Sequence, residues 1–321
     1  MLNLLSWDKI NNFSTVLLSI VLEGFPFIII GTLVSSLIQV FVSEDIIRKF
    51  LPRNKFLGIL LMALMGLVFP VCECGIVPVV RRLIKKGVPL NMAVTFMVAA
   101  PIINPVVLTS TYYAFLAQPI MVVLRASLGI ISAVLIGYLI GELHRGPALK
   151  SQLIKYKTSV VSGHKSHEHT HDLNCECGHS HEEHEGKFAE VINHANHELY
   201  DIGRFFLIGA ILSSIMQTYV PVEYILAIGR GNVSSILTMM CLAFLLSICS
   251  ETDAFIARTF VGQFTRGSII AFLIFGPMID IKNTIMLTSS FNLRFVAKVI
   301  FIIFSICFII SALSNLIPSF L

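Results

Sequence analysis

Charge is what this sequence has least of. Only 13% of its 321 residues are Asp, Glu, Lys or Arg, while 55% are hydrophobic. Soluble globular chains carry about 25% charged residues, so a soluble domain is excluded. No G-x-x-x-x-G-K-[ST] run occurs, which removes P-loop nucleotide hydrolysis by this chain. H-E-x-x-H and G-x-S-x-G are absent as well, so nothing points to a hydrolase and the chain is not read as an enzyme. A net charge of +4 is too small to suggest nucleic acid. The seven cysteines, several of them in or beside apolar runs, do not form a disulfide framework. Cys241 and Cys307 stand singly in apolar surroundings and read as small buried hydrophobes. The start, MLNLLSWDKINN, lacks a basic region, and the apolar run after it is too long for a cleavable signal.

What is present is a series of apolar runs long enough to cross a bilayer. They cover residues 13–42, 56–80, 92–115, 119–140, 205–220, 234–250, 268–287 and 295–316. The expected fold is therefore all-α: a polytopic membrane protein of about eight helices. It is also written twice. Residues 27–42 read FIIIGTLVSSLIQVFV and residues 205–220 read FFLIGAILSSIMQTYV, with no gap inside the match. The same offset carries Glu23 onto Asp201, Gly31 onto Gly209, Gln39 onto Gln217 and Glu73 onto Glu251. After a shift of two, Pro101-Ile102-Ile103-Asn104 meets Pro277-Met278-Ile279-Asp280. Internal duplication of an apolar chain is a common ground plan of transporters, with the substrate site where the halves meet. The chain divides into a first repeat over 1–142, a polar insert over 143–198 and a second repeat over 199–321.

Orientation follows from the cationic residues. With four spans per half, the two repeats point the same way, and Arg81–Lys86 and Arg258–Arg266 are basic at comparable points. A re-entrant segment at Cys72 would instead leave an odd number and invert one half. On the eight-span count Lys9, Arg81, Arg82, Lys85, Lys86, Arg145, Lys150, Lys155, Lys157, Arg258 and Arg266 share a side. That side outweighs the one holding Arg48, Lys49, Arg53, Lys55, Arg230 and Arg294, so both termini and the insert are expected in the cytoplasm. The localisation read here is the cytoplasmic membrane, multi-pass.

Four breaks interrupt the spans at duplicated positions. They are Phe69-Pro70-Val71-Cys72-Glu73-Cys74-Gly75, Ser247-Ile248-Cys249-Ser250-Glu251-Thr252-Asp253, Ala100-Pro101-Ile102-Ile103-Asn104-Pro105 and Gly276-Pro277-Met278-Ile279-Asp280. Lipid cannot satisfy freed backbone groups, so such breaks belong against protein or a wet cavity. A carboxylate at mid-bilayer costs roughly 2.5–3.5 kcal/mol, so Glu73, Glu251, Asp253 and Asp280 should face inward. Cys72 and Cys74 offer soft thiolates beside a hard carboxylate, and Cys249 with Glu251 repeats the pairing in the second half. Thiolates select Zn²⁺, Cu(I) and other thiophilic species. Inert buried thiols are the bland alternative. The ion or substrate path is assigned to Cys72, Glu73, Cys74, Asn104, Cys249, Glu251, Asp253 and Asp280. Glu23 and Asp201, near the starts of their spans, read as interfacial. Arg125, Lys282 and Lys298 are cations available to the acids.

The insert concentrates metal ligands. His164, His167, His169, His171, Cys175, Cys177, His179, His181 and His184 lie among six acidic residues. Imidazole and thiolate are ordinary zinc ligands, so this tract can bind zinc as a buffer or sensor, although no cofactor is required for the fold. A sticky linker without function is the plain alternative.

The stretches PVCECGIVPVVRRLIKKGVPLNMAVTFMVAAPIINP and ICSETDAFIARTF resemble the two hallmark stretches of the bacterial predicted permeases of the YraQ kind. That family includes the ArsP organoarsenical efflux permeases. The resemblance spans nearly all of both apolar halves and implies an eight-span permease of the inner membrane. For ArsP-type members it implies export of trivalent organoarsenicals, with Cys72 and Cys74 as the matching cysteines. The histidine tract is no part of the arsenical pattern and favours a metal cation. The expected function is thus a permease moving zinc or a similar thiophilic divalent ion by alternating access. Organoarsenical efflux is the alternative within transport, and a metal-sensing subunit without flux is the alternative outside it. Partners are the bilayer, a small inorganic or organometallic substrate and an accessory protein.

Overall fold

The structure, a computed structural model, describes residues 7–43, 49, 51–52, 54–69, 71–144, 146, 148–149, 187–220, 229 and 231–316. The histidine tract and its nine candidate ligands lie outside the described residues. Among the described residues the chain forms twelve helices. The first half holds α1 (Trp7–Phe41), α2 (Lys55–Met65), α3 (Glu73–Lys85), α4 (Leu90–Ile103), α5 (Pro105–Ala114) and α6 (Ile120–Leu143). The second holds α7 (Lys187–Tyr219), α8 (Asn232–Leu246), α9 (Asp253–Thr259), α10 (Arg266–Met278), α11 (Ile281–Ser290) and α12 (Leu293–Ser314). Helix α7 reaches back to Lys187, so residues 187–198, read as insert, are the first turns of a long helix.

Six helical stretches are long and apolar enough to cross a bilayer: α1, α4 with α5, α6, α7, α10 with α11, and α12. The other two expected spans, 56–80 and 234–250, are shorter apolar helices that stop at the polar breaks. Large apolar side chains such as Leu22, Phe25, Leu37, Phe301 and Leu313 stay exposed on the outside. Polar ones, among them Ser35, Glu73, Arg125, Asp280 and Lys282, are buried inside. Cys307 is buried as expected, but Cys241 is exposed, because a thiol on an outward helix face suits an apolar surround.

Helix directions follow from contacts. Lys9 Nζ lies 5.3 Å from the Tyr219 ring centre, and Ser35 Oγ donates to Glu198 Oε2 at 2.6 Å. Helices α1 and α7, which carry the two matching segments, therefore run antiparallel. Helix α1 runs parallel to α3: Gly31 meets the Gly75 backbone, and Arg82 donates to Gln39 Oε1 at 3.0 Å. Gly58 lies against Met92 and Gly66 against Ala100, so α2 runs alongside α4. Helix α3 then returns to the end where α2 began, turning into α4 at Gly87 with φ +92°. Together α2 and α3 form a re-entrant hairpin whose tip is Cys72-Glu73-Cys74.

The second half makes the corresponding hairpin from the opposite end. The Ser235 and Ser268 hydroxyls are 2.5 Å apart, so α8 and α10 start together. Arg258 donates to Ala114 O at 2.5 Å, which puts the end of α9 beside the end of α5. The tip here is Cys249-Ser250-Glu251. His144 packs on Phe295 with ring centres 4.8 Å apart, while Gly267 N donates to Asn315 Oδ1 at 2.7 Å. The start of α12 is thus at the loop end of the molecule, and its last turn lies at the end where α1 begins. Three of the stretches long and apolar enough to cross a bilayer precede the insert and three follow it. Among the described residues each polar break ends a short hairpin limb, so the eight full-length spans are not found and the re-entrant arrangement at Cys72 is. The helix ends that flank the insert, the end of α6 and the start of α7, lie at the end opposite the start of α1 and the last turn of α12.

Candidate metal site at the hairpin tips

Each break places a polar residue at a helix start inside the bundle. Glu73 is the first residue of α3 behind the Cys72 cap, and Asp253 is the first of α9. Asp280 caps α11 by accepting from Asn283 N at 2.5 Å, and Asn104 caps α5 by accepting from Val106 N at 2.9 Å. Helix starts carry unpaired N–H groups and a positive partial charge, so acids are stabilised there. Proline and polar residues cluster at these points because the helix must stop where its end can hold such a group.

The two tips meet. One ligand atom each from Cys72, Glu73 and Cys249 lies within 4.8 Å of the other two, and all three residues are buried. Ser250 Oγ donates to Glu73 Oε2 at 3.3 Å across the same junction. A second group shares Cys249: Glu23, Cys249 and Glu251 also have ligand atoms within 4.8 Å of one another. Within it Cys249 Sγ is 3.6 Å from Glu251 Oε2, and Thr252 Oγ1 donates to Glu23 Oε1 at 3.4 Å. Two thiols and a carboxylate suit a thiophilic divalent ion, and the second group adds two oxygens on its half-buried side.

Two cations sit beside this cluster. Lys282 Nζ is 3.3 Å from Glu73 Oε1 and 3.8 Å from Asp280 Oδ2, and donates to Ser247 O at 3.4 Å. Arg125 of α6 makes a two-pronged pair with Asp253, at 2.8 and 2.7 Å, and donates to Thr111 Oγ1 at 2.9 Å. That pair ties the first half to the second hairpin. Glu23, Glu73, Glu251, Asp253 and Asp280 are five acids against two cations.

Of the residues assigned to the path, Cys72, Glu73, Cys249 and Glu251 come together, and Asp280 joins them through Lys282. Asp253 is committed to Arg125. Cys74 is buried beside Cys72 and near Gly24 of α1, and Asn104 is a cap; neither is in either three-residue ligand group. Glu23, read as interfacial, lies at the middle of the 35-residue α1 beside Cys249 and Glu251. Its match, Asp201, is 41% exposed and pairs with Arg204 at 3.4 Å. Lys282 and Arg125 were visible as cations inside apolar runs, a costly placement that signals a buried partner. Lys298 is exposed on α12.

Residues 9–316 match the predicted permease family ArsP_1. The chain belongs to that family. It is 44% identical over 283 residues to UPF0718 protein YcgR of Bacillus subtilis, covering 88% of this chain and 90% of that protein. A Streptococcus mutans protein named "Putative two-component membrane permease complex subunit" is 39% identical over 283 residues, 88% of each chain. UPF0718 protein YraQ of Escherichia coli is 28% identical over 112 residues, 35% of this chain and 32% of that one. No solved structure matches.

Proposed function

We propose that this membrane permease moves a thiophilic divalent metal ion, zinc or a near neighbour, by alternating access between two inverted repeats. One observation carries the reading: donor atoms of Cys72, Glu73 and Cys249, from hairpins entering at opposite ends, lie within 4.8 Å. Inverted repeats with broken helices meeting at the centre are a recurrent transporter plan. A site built from both tips can open toward either end when one hairpin moves. The surplus of acids over cations supports a positively charged cargo. Cellular metal content tests this: expression should change the level of one divalent metal, and Cys249→Ser should abolish the change. Unchanged metals with lower arsenic under trivalent methylarsenical would select the second reading, organoarsenical efflux. The three buried thiols Cys72, Cys74 and Cys249 favour that reading, since it needs sulfur and not Glu73.

Topology is part of the proposal. Among the described residues the loop end carries Lys49, Lys55, Arg81, Arg82, Lys85, Lys86 and Arg294, while the other end has Lys9, Arg258 and Arg266. The positive-inside rule then puts the histidine tract in the cytoplasm and both termini outside. From there the tract would buffer the ion near the cytoplasmic mouth, and its deletion should shift metal dependence without abolishing flux. The name of the S. mutans relative supports an accessory subunit as partner. A sensor without flux would bind metal in liposomes yet move none.

A further inference from the structure

Lys282 is badly placed for a merely structural cation. It is the second residue of α11, where the unpaired N–H groups of the helix start disfavour positive charge. It is also 3% exposed, and burial of an ammonium is costly unless it is paired. Its Nζ turns from its own helix to Glu73 Oε1 at 3.3 Å and to Ser247 O at 3.4 Å. Ser247 is the left-handed cap of α8, φ 45°, so its carbonyl lies at the negative end of a helix. The backbone of Lys282 is fixed by the close approach of α7 at Gly209, where an added Cβ would stand 3.0 Å from Lys282 Cα. One acceptor nearby is under-used: Asp280 Oδ2 is buried and makes no hydrogen bond, and its ion pair with Nζ is the longer of the two, 3.8 Å against 3.3 Å to Glu73.

We propose that Lys282 is a tethered cation that occupies Glu73 in the absence of cargo and crosses to Asp280 when a divalent ion binds. This rests on the metal reading of the site. An ion bonded to Glu73 at about 2 Å would stand a few ångströms from Nζ, and two cations so close in a poorly screened interior repel strongly. The Asp280 oxygen, already 3.8 Å away and without a hydrogen bond, gives the ammonium a paired position to close on. The buried carboxylates therefore keep a counter-charge through the cycle, and return of Lys282 to Glu73 expels the ion. A single-charged ion displaces the ammonium poorly, so the arrangement selects divalent cargo.

The test is Cd²⁺ binding to the full chain in lipid nanodiscs, read by thiolate-to-cadmium absorbance and chelator competition. Lys282→Gln should bind Cd²⁺ about tenfold more tightly while turnover in liposomes falls, and Lys282→Arg should restore the weaker binding. A structural pair would give the opposite sign, because its loss loosens the site. Equal or weaker binding by monodisperse Lys282→Gln overturns the proposal, even where Cys72→Ser and Cys249→Ser abolish the absorbance. If those serine variants leave binding unchanged, the metal site itself fails and the proposal falls with it. Should Lys282→Gln not fold, Asp280→Asn serves. It removes the negative charge that would receive the ammonium, at a residue outside both ligand groups, and should weaken Cd²⁺ binding about tenfold, whereas an unchanged Kd overturns the proposal.

Discussion

The two halves begin with nearly the same helix and use it differently. Helix α1 packs on α3, the return limb of its own hairpin, with Gly31 against the Gly75 backbone. Helix α7 packs instead on α11, with Gly209 against Lys282. The return limb has 13 residues in the first half and seven in the second. Matched sequence therefore fixes the helix and its glycine notch, while the partner that fills the notch differs. On the inverted-repeat reading, one unit is seen in two packings, and exchange of those packings would carry the site from one end to the other.

The largest effect is expected at the tips. Cys72→Ser and Cys249→Ser should each lower metal flux at least about 100-fold, since loss of even an outer-shell partner costs 10–100-fold. Unequal losses would show that one hairpin holds the ion alone. Next comes the buried tie between the halves. Arg125→Met leaves Asp253 unpaired and should cost about 3–5 kcal/mol in unfolding measurements. The double change Arg125→Met with Asp253→Leu should recover part of that loss, which measures the net value of the pair.

The notches give smaller effects that sort the two packings. Gly31→Val would drive a side chain into the Gly75 backbone and should cost about 1–3 kcal/mol or more. Gly209→Val meets Lys282 less tightly and should cost less, while Gly203→Val, with nothing within 4 Å, should stay within about 0.5 kcal/mol. Thermal unfolding of the three variants checks the order. The smallest effect concerns the loop end, where Glu198 holds Ser35 at 2.6 Å and Arg82 at 3.4 Å. Glu198→Gln should cost about 1 kcal/mol, read by the same melt.

Much of this was legible in the sequence, for stated reasons. Apolar runs fix helices because lipid leaves no other backbone solution. The breaks at Cys72–Gly75 and Ser247–Asp253 pointed to the centre because prolines and acids are costly elsewhere. Whether a break ends a hairpin or a span is not a local property, however. Residues 56–80 are apolar enough for either, and only the packing of α2 beside α4 decides it. Glu23 escaped because its neighbours, Cys249 and Glu251, are more than 220 positions away in the chain. Residue type and spacing likewise cannot tell a ligand from a buried thiol or a helix cap, so they do not by themselves separate Cys74 and Asn104 from Cys72 and Cys249.

The most direct measurement is zinc flux into liposomes holding the purified full chain, with Cys72→Ser and Cys249→Ser reconstituted in parallel. Saturable zinc movement in the unaltered chain, lost alike in both variants, is the predicted result. Zinc that binds without crossing, or crosses as fast when either cysteine is gone, would contradict a transported metal held between the two hairpin tips.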